Sequence, residues 1–491
     1  MNGLFYFIGG GFLIVMRRSI FFFQLVVLPA LLWAQRTAET MFTSNVSQST
    51  LQTTVRDLVK FAPRMGGTQR GDLSTEYILT AFRTAGLQAE IIEDPERLAF
   101  TNERWSLNVE QPESLRGLIK NEWLAGYSPS VKQQTARLVY AKPGDTTEGK
   151  KFDGAVVLTE RAVHTQLYSA FEKAGTVCIL TFSPATKGKY DDWALVTSLK
   201  ASGENPIPMF NISYNNGVRL KSELERGAEV VISFMTETTI APGKPKTVIA
   251  TINGESDEYF IVCAHGDSDS GGPGADDNAS GEAGVLEVAR VLQNLINAKT
   301  IPAPKKSIKF VVWGSEYYST SHYVKRNSDA LTKILGVMNY DEIGAGATRN
   351  CLYFESNDVQ HNEPLLRMLN AVGEEYVGKP GFWDEATTNP SQGGTDSYVF
   401  LPEYLKRLGV PNVAIPSVSI FTAAWDEPAL LKQTPGWASK AWKGHPDTVV
   451  VDYSAYYHAS LDIPSLTTDV EPFNMVWAVK AVGIALLRLA W

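Results

Sequence analysis

Cysteine is almost missing from this chain: there are three in 491 residues, Cys178, Cys263 and Cys351, each inside an apolar, strand-like run. So odd and sparse a set excludes a disulfide framework, even for an exported protein, and assigns the thiols to core packing. Histidine is scarce too, with six residues, so a histidine set among acids carries weight. No basic block or RNA-binding signature occurs, and a net charge of −8 with a pI near 5.5 argues against nucleic acid as a partner. There is no internal repeat and no low-complexity tract, which excludes solenoids and disordered arrays. What is present is 44% hydrophobic and 20% charged, the balance of a soluble globular protein, over a length beyond one ordinary core. Two domains plus a targeting segment are expected.

The N-terminus carries two apolar stretches, Leu4 to Val15 and Ile20 to Ala34, separated by Arg17-Arg18. The second follows a positive region, is short for a membrane span and ends near Leu32-Trp33-Ala34, the layout of a signal peptide cut after Ala34. Residues 1–34 are therefore read as a signal peptide or N-terminal anchor, with Met16 as an alternative start. The mature chain is expected to be secreted or periplasmic and to touch a membrane only if this segment stays uncleaved.

Apolar residues recur at helical spacing from Ser49 to Phe61 and from Asp72 to Ala85, the second run stopping at Gly86 as a helix C-cap requires. Pro63 to Gly67 is a turn cluster, and Leu87 to Ile92 and Trp105 to Val109 read as strands. Strands at Asp153 to Thr159, Thr176 to Leu180 and Ala228 to Phe234, with helices over 163–174 and Asn216 to Arg226, form a small α/β unit that has no acidic or histidine cluster of its own. Beyond a linker, Ala241 to Lys246, strands at Val248 to Ile252, Tyr259 to Cys263, Ile308 to Trp313, Ile334 to Tyr340 and Val413 to Phe421 alternate with helices over 281–296, 363–376 and 470–490. Such alternation calls for an α/β sheet. The expected division is 35–104 for the N-terminal helices of the main body, 105–240 for the small unit and 241–491 for the rest of the main body.

The chemistry concentrates in residues 259–281, where an apolar run ends in His265-Gly266-Asp267 and a Gly- and Pro-rich loop brings Asp276-Asp277-Asn278 to the start of a helix. Open α/β sheets place their sites at the C-terminal ends of strands. Glu316 ends one further strand, Asp341 another, Asp396 lies in a glycine-rich loop and His458 lies in Tyr-Tyr-His-Ala-Ser-Leu-Asp. Alone, each motif has a plain reading: a hydrogen-bonded strand end, a helix cap, a sheet-edge acid or a surface turn. Histidine nitrogen and carboxylate oxygen converging on one pocket are zinc ligands. The tryptophans over 425–442 read as packing, and His164, His361 and His445 as surface residues.

The motif order H-x-D, D-N-x-S-G, W-G-x-E, N-x-D-x-I-G and Y-H-x-x-x-D resembles the co-catalytic zinc exopeptidases that include secreted aminopeptidases and glutamate carboxypeptidases. The segments GAVVLTER…EKAGTVCIL and IPMFNISYNNGVRLKSELERGAEVVISF resemble the protease-associated domain, a lid or spacer in that family. The resemblance implies an α/β fold, a three-layer mixed sheet flanked by helices, with an inserted small α/β protease-associated domain. It implies one or two zinc ions and a peptide substrate, aminopeptidase being favoured over carboxypeptidase on family frequency. By position, His265 and Asp341 would hold one zinc, Asp277 would bridge and His458 would help hold the second. Asp267 would orient the imidazole of His265, Glu316 would be the general base, and Tyr457 would add a hydrogen bond to the oxyanion.

One departure stands out. The family has a Glu-Glu pair, base then ligand, where this chain reads Ser315-Glu316-Tyr317-Tyr318, in a turn about three residues shorter. Either Glu316 is the base and Tyr317 costs the second zinc a ligand, or Glu316 is a ligand and the base is missing. The register of Trp313-Gly314-Ser315-Glu316 prefers the first. The departure also supports a rival: a metal-impaired pseudopeptidase that binds or scaffolds. A transferase or cyclase on the same fold is a third possibility. His322, which follows on the next helix, reads as packed or solvated, and Asp396 as supporting the site.

Overall fold

A computed structural model of the chain describes residues 35–143, 145, 151–182, 191–345, 351–390, 394–411, 413–422 and 456–491. The expected leader 1–34, the tryptophans over 425–442 and His445 lie outside the described residues. Among the described residues, no helix is long and apolar enough to cross a membrane.

A helix over residues 35–45 (α1) is followed by α2 (Gln48–Val59) and α3 (Gln69–Thr84). Ser47 and Thr68 cap these two, their side chains accepting from the backbone N–H of Thr50 and Gly71. After β1 (Gln88–Glu93), the chain leaves the main body and builds a second sheet. It returns through β9 (Lys246–Ile252), β10 (Ser256–His265), α6 (Gly281–Asn297), β11 (Lys306–Trp313), α7 (Tyr318–Arg326), β12 (Ile334–Tyr340), β13 (Cys351–Ser356), α8 (Glu363–Tyr376), β14 (Glu385–Pro390), α9 (Pro402–Leu408), β15 (Ser417–Phe421) and α10 (Phe473–Leu489).

Among the described residues, the main sheet has eight strands in the order β1-β9-β11-β10-β12-β15-β13-β14. β10 runs parallel to both its neighbours, β11 and β12, while β9 and β13 introduce antiparallel pairs. Alternate residues of one strand face opposite sides, and here both sides are buried. Phe260, Val262 and Ala264 join the core formed with α2, α3, α6, α8 and α10, whereas Tyr259, Ile261 and Cys263 join the core beneath α7 and α9. This is the expected three-layer mixed sheet, and burial on both faces is why β10 reads as an unbroken apolar run.

The second sheet, in the order β2-β8-β4-β5-β6-β7-β3, uses strands between Arg97 and Gly243. β2 (Arg97–Gln111) and β8 (Val231–Gly243) form its long antiparallel edge, and β3 (Trp123–Leu124), β4 (Val131–Ala141), β5 (Val156–Thr159), β6 (Cys178–Thr181) and β7 (Met209–Asn211) complete it. Helices α4 (Thr165–Lys173) and α5 (Tyr214–Glu225) pack against it. Ala241 to Gly243, expected in a linker, instead extend β8. Pro242 is tolerated there because β4 pairs with β8 only as far as Thr236, so the far end of β8 is an edge that needs no N–H from proline.

Candidate metal centre

Three adjacent parallel strands aim their C-terminal ends at one point. β10 ends at His265, which lies opposite Trp313 of β11, and Cys263 lies opposite Asn339 of β12, so Glu316 and Asp341 emerge beside the histidine. His265 Nε2 lies 3.2 Å from Asp277 Oδ1 and 3.5 Å from Asp341 Oδ1. The other Asp277 oxygen, Oδ2, lies 3.2 Å from His458 Nε2, so one carboxylate stands between two imidazoles. His265, Glu316 and Asp341 each offer a ligand atom within 4.8 Å of the others. The four expected donors, the expected base Glu316 and the orienting Asp267 thus meet in space. The Tyr457 ring stacks on His458 at 3.6 Å between centroids.

Of the side chains that hold this arrangement, Asp462, Asn278 and Asp267 belong to the motifs, whereas Arg64 and Glu282 lie outside them. Asp462 accepts from the N–H of Asp276 (2.8 Å) and of Asp277 (3.0 Å), clamping the acidic loop from the His458 segment. Asn278 accepts from the N–H of Gly281 at 3.0 Å and donates to the carbonyl of Tyr340 at 2.9 Å, tying the start of α6 to β12. Arg64, from the turn cluster, is fully buried: it pairs with the equally buried Glu282 at 3.2 Å and donates to the carbonyls of Gly266 and Gly274. Asp267 has a double task. Its backbone carbonyl lies 3.0 Å from His265 Nδ1, nearer than its carboxylate at 3.4 Å, and that carboxylate accepts from Ser315 Oγ (3.0 Å) and Glu316 N–H (2.9 Å). It therefore orients the imidazole and the Glu316 turn together.

The field of the site is strongly negative. Burial works against a protonated His265, yet Asp341, Asp267 and Asp277 together raise its pKa well above the usual imidazole value. Burial raises the carboxyl of Glu316 well above its ordinary range, and although His265 pulls it down, Asp341, Asp396 and Asp277 add to the rise. Burial also pushes Asp462 and Asp396 up to about 7 and Asp276 and Glu342 well above the carboxylate range. Asp277 alone is held low: burial opposes its charge, but the hydrogen bonds of His265 and His458 prevail. Buried carboxylates in this number either hold protons or pair with a cation, and oxygens of Asp276, Glu342 and Asp396 have no hydrogen-bond partner. His265 with the carboxylates of Asp277 and Asp341 offers one nitrogen and two carboxylate oxygens, a set that suits zinc.

Tyr317 sits where the second Glu was expected. Its backbone takes φ 53° and its N–H donates to Asp396 Oδ1 at 3.0 Å. Burial, then the charges of Glu316, Asp396 and Asp341, raise its phenol far above its normal pKa, so it stays neutral and makes a poor cation ligand. Asp396 also accepts from Thr320 Oγ1, buttressing the turn from behind. His322 packs edge-on against Tyr318, away from the cluster. His164 caps α4, accepting from the N–H of Leu167, and His361 Nε2 lies 3.0 Å from the carbonyl of Ile415.

Residues 247–469 match the model of Peptidase family M28. An aminopeptidase of Pseudomonas aeruginosa is 30% identical over 187 residues, 37% of this chain and 32% of that protein. A probable lipoprotein aminopeptidase of Mycobacterium tuberculosis is 28% identical over 298 residues, 57% of this chain and 55% of the relative. The chain thus spans between a third and about half the length of these curated relatives. Among solved structures, a peptidase M28 precursor from Shewanella amazonensis superposes with TM-score 0.64 at 18% identity, covering 92% of this chain and 96% of that one. A zinc aminopeptidase from Bacillus subtilis gives 0.58 at 20% identity, covering 91% and 95%. These two share the fold.

Proposed function

Starting from a chain whose residues 247–469 belong to Peptidase family M28, we propose that it is a zinc-dependent aminopeptidase that removes residues from the N-termini of peptides. The observation that carries this reading is Asp277 standing between His265 and His458, with Asp341 and Glu316 beside His265. His265, Asp277 and Asp341 would hold one ion. Asp277 and His458 would hold a second more weakly, Tyr317 standing where another carboxylate is expected. Zinc, when bound, lowers the pKa of water and polarises the scissile carbonyl. Glu316 takes a proton from the attacking water and returns it to the leaving amine, its raised pKa matching that shuttle. Asp267 fixes both His265 and the Glu316 backbone, and Tyr457 donates to the substrate oxygen that gains charge. Residues 1–34 act as an export signal cut after Ala34, and the second sheet is a protease-associated lid over the site.

The test is to incubate the zinc-loaded mature chain with a mixed peptide pool and read the termini by mass spectrometry. Shortening from the N-terminus alone is expected, slowed by about 10²–10⁴-fold in Glu316→Gln while zinc content is retained. Loss of zinc in that variant would make Glu316 a ligand instead. Tyr317 favours the second reading, a binding protein on a peptidase fold, and intact peptides after incubation with a folded, zinc-loaded chain would establish it.

A further inference from the structure

The segment that delivers His458 is gripped by the connection between β6 and β7 of the second sheet. Leu195 and Ala459 form an antiparallel bridge, the Val196 N–H donates to the carbonyl of His458 at 2.7 Å, and the Ser460 N–H donates to the carbonyl of Ala194 at 2.8 Å. Ser460 Oγ accepts from the Ala194 N–H at 3.0 Å and donates to the carbonyl of Asn121 at 2.8 Å. Trp193 stacks on Tyr456 with centroids 4.9 Å apart. On the opposite side, Asp462 holds the acidic loop, so residues 456–462 are sandwiched between the second sheet and the strand ends. His458 itself adopts φ 49°, a conformation that an ordinary residue keeps only when its surroundings hold it. The same sheet reaches the site at a second point: Arg97 on β2 donates to Ser315 Oγ at 3.1 Å, and Ser315 donates to Asp267.

The geometry points to a positioning role for this unit: residues 194–196 and Ser460 form a clasp that sets the place of His458, so part of the metal seat belongs to the second sheet. This rests on His458 being a ligand, as proposed above. A lid that merely covers substrate needs no hydrogen bond to the main chain of a ligand residue, and here Val196 bonds the carbonyl of His458 itself while Ala194 pairs with Ser460 two residues on.

The test is zinc titration of the metal-free full chain against a chromophoric chelator, with folding checked by circular dichroism and thermal melting. His458→Ala defines the zinc binding that depends on this histidine. Ser460→Ala should weaken that component about tenfold, as loss of ligand-orienting partners does. Ser460→Thr, which keeps the hydroxyl, should restore it. Lys221→Ala, which breaks the pair with Glu160 in the same unit away from the clasp, should leave it unchanged. If Ser460→Ala does not fold, Trp193→Leu takes its place. Parental zinc affinity in a folded clasp variant, or an equal loss in Lys221→Ala, would overturn the proposal. Unchanged binding in His458→Ala would remove the ligand assignment and the clasp with it. Zinc shifts of the expected pattern without peptide cleavage would uphold the clasp and reject the peptidase reading alone.

Discussion

Arg64 and Glu282 form an ion pair with no exposed side-chain surface. Removing one member of such a pair leaves a buried charge, which costs about 3–5 kcal/mol, whereas replacing both with apolar residues is often neutral. Arg64→Met should therefore lower stability by that order in urea unfolding at pH 8, and Arg64→Met combined with Glu282→Leu should recover most of it. The pH matters because burial raises Glu282 to about 7 against the pull of Arg64. The folded chain then holds this proton more tightly than the unfolded one, so the contribution is full below the ordinary carboxylate range and lost as pH rises through about 7. Glu282→Gln should flatten the fall in melting temperature between those limits, and parallel curves for the two proteins would contradict it. At this scale His265 and Asp341 were legible because each closes an apolar run at a strand end, and Asp277 and His458 because they sit in motifs that follow in order. Arg64 was not, since a Pro- and Gly-rich turn advertises its bend and hides what its charged member does. Glu282 was hidden in a helix whose period shows a buried face but not that an acid lies on it.

The turn after β11 shows how an element places a residue. A side-chain carbon on Gly314 would lie 2.5 Å from the backbone nitrogen of Lys246, and one on Gly66 would lie 2.2 Å from the carbonyl oxygen of Gly314. Three chain segments meet here with no room for a methyl group. Gly314→Ala should cost about 1–3 kcal/mol and shift Glu316, which melting curves and peptide hydrolysis would report together. Full activity in a destabilised variant would free the turn of any part in positioning the base. The strands around the turn were legible from their buried runs. β14, Glu-Ala-Thr-Thr-Asn-Pro, was not, because an edge strand pairs on one side only and carries little apolar signal. The tail of β8 looked like a linker for the same reason.

For the whole molecule, the proposed zinc assignment would couple metal to folding through the acid-lined centre. Zinc held at a hundredfold excess over its Kd adds about 2.7 kcal/mol to stability. Stripping it with a chelator should lower the melting temperature, and by more at pH 8 than at pH 6, because protons on His265, Asp462 and Asp396 compete with the cation at the lower pH. Equal shifts at both pH values would argue that these groups do not face the ion. That two sheets existed was legible from the break in motif content between residues 105 and 240. Their contact across residues 193–196 and 456–460 was not, because its main-chain hydrogen bonds leave no mark in sequence and its side-chain part, Ser460 Oγ and the Trp193–Tyr456 stack, joins residues far apart in the chain. Arg97 and Gly243, where the chain enters and leaves the second sheet, are paired neighbours on β2 and β8, about 5 Å apart by strand spacing. Excision between them leaves ends that a two-residue turn can join. A single insertion or deletion in an ancestral gene could therefore add or remove the entire unit without rethreading the main sheet, though the clasp on His458 would then have to be rebuilt by other means.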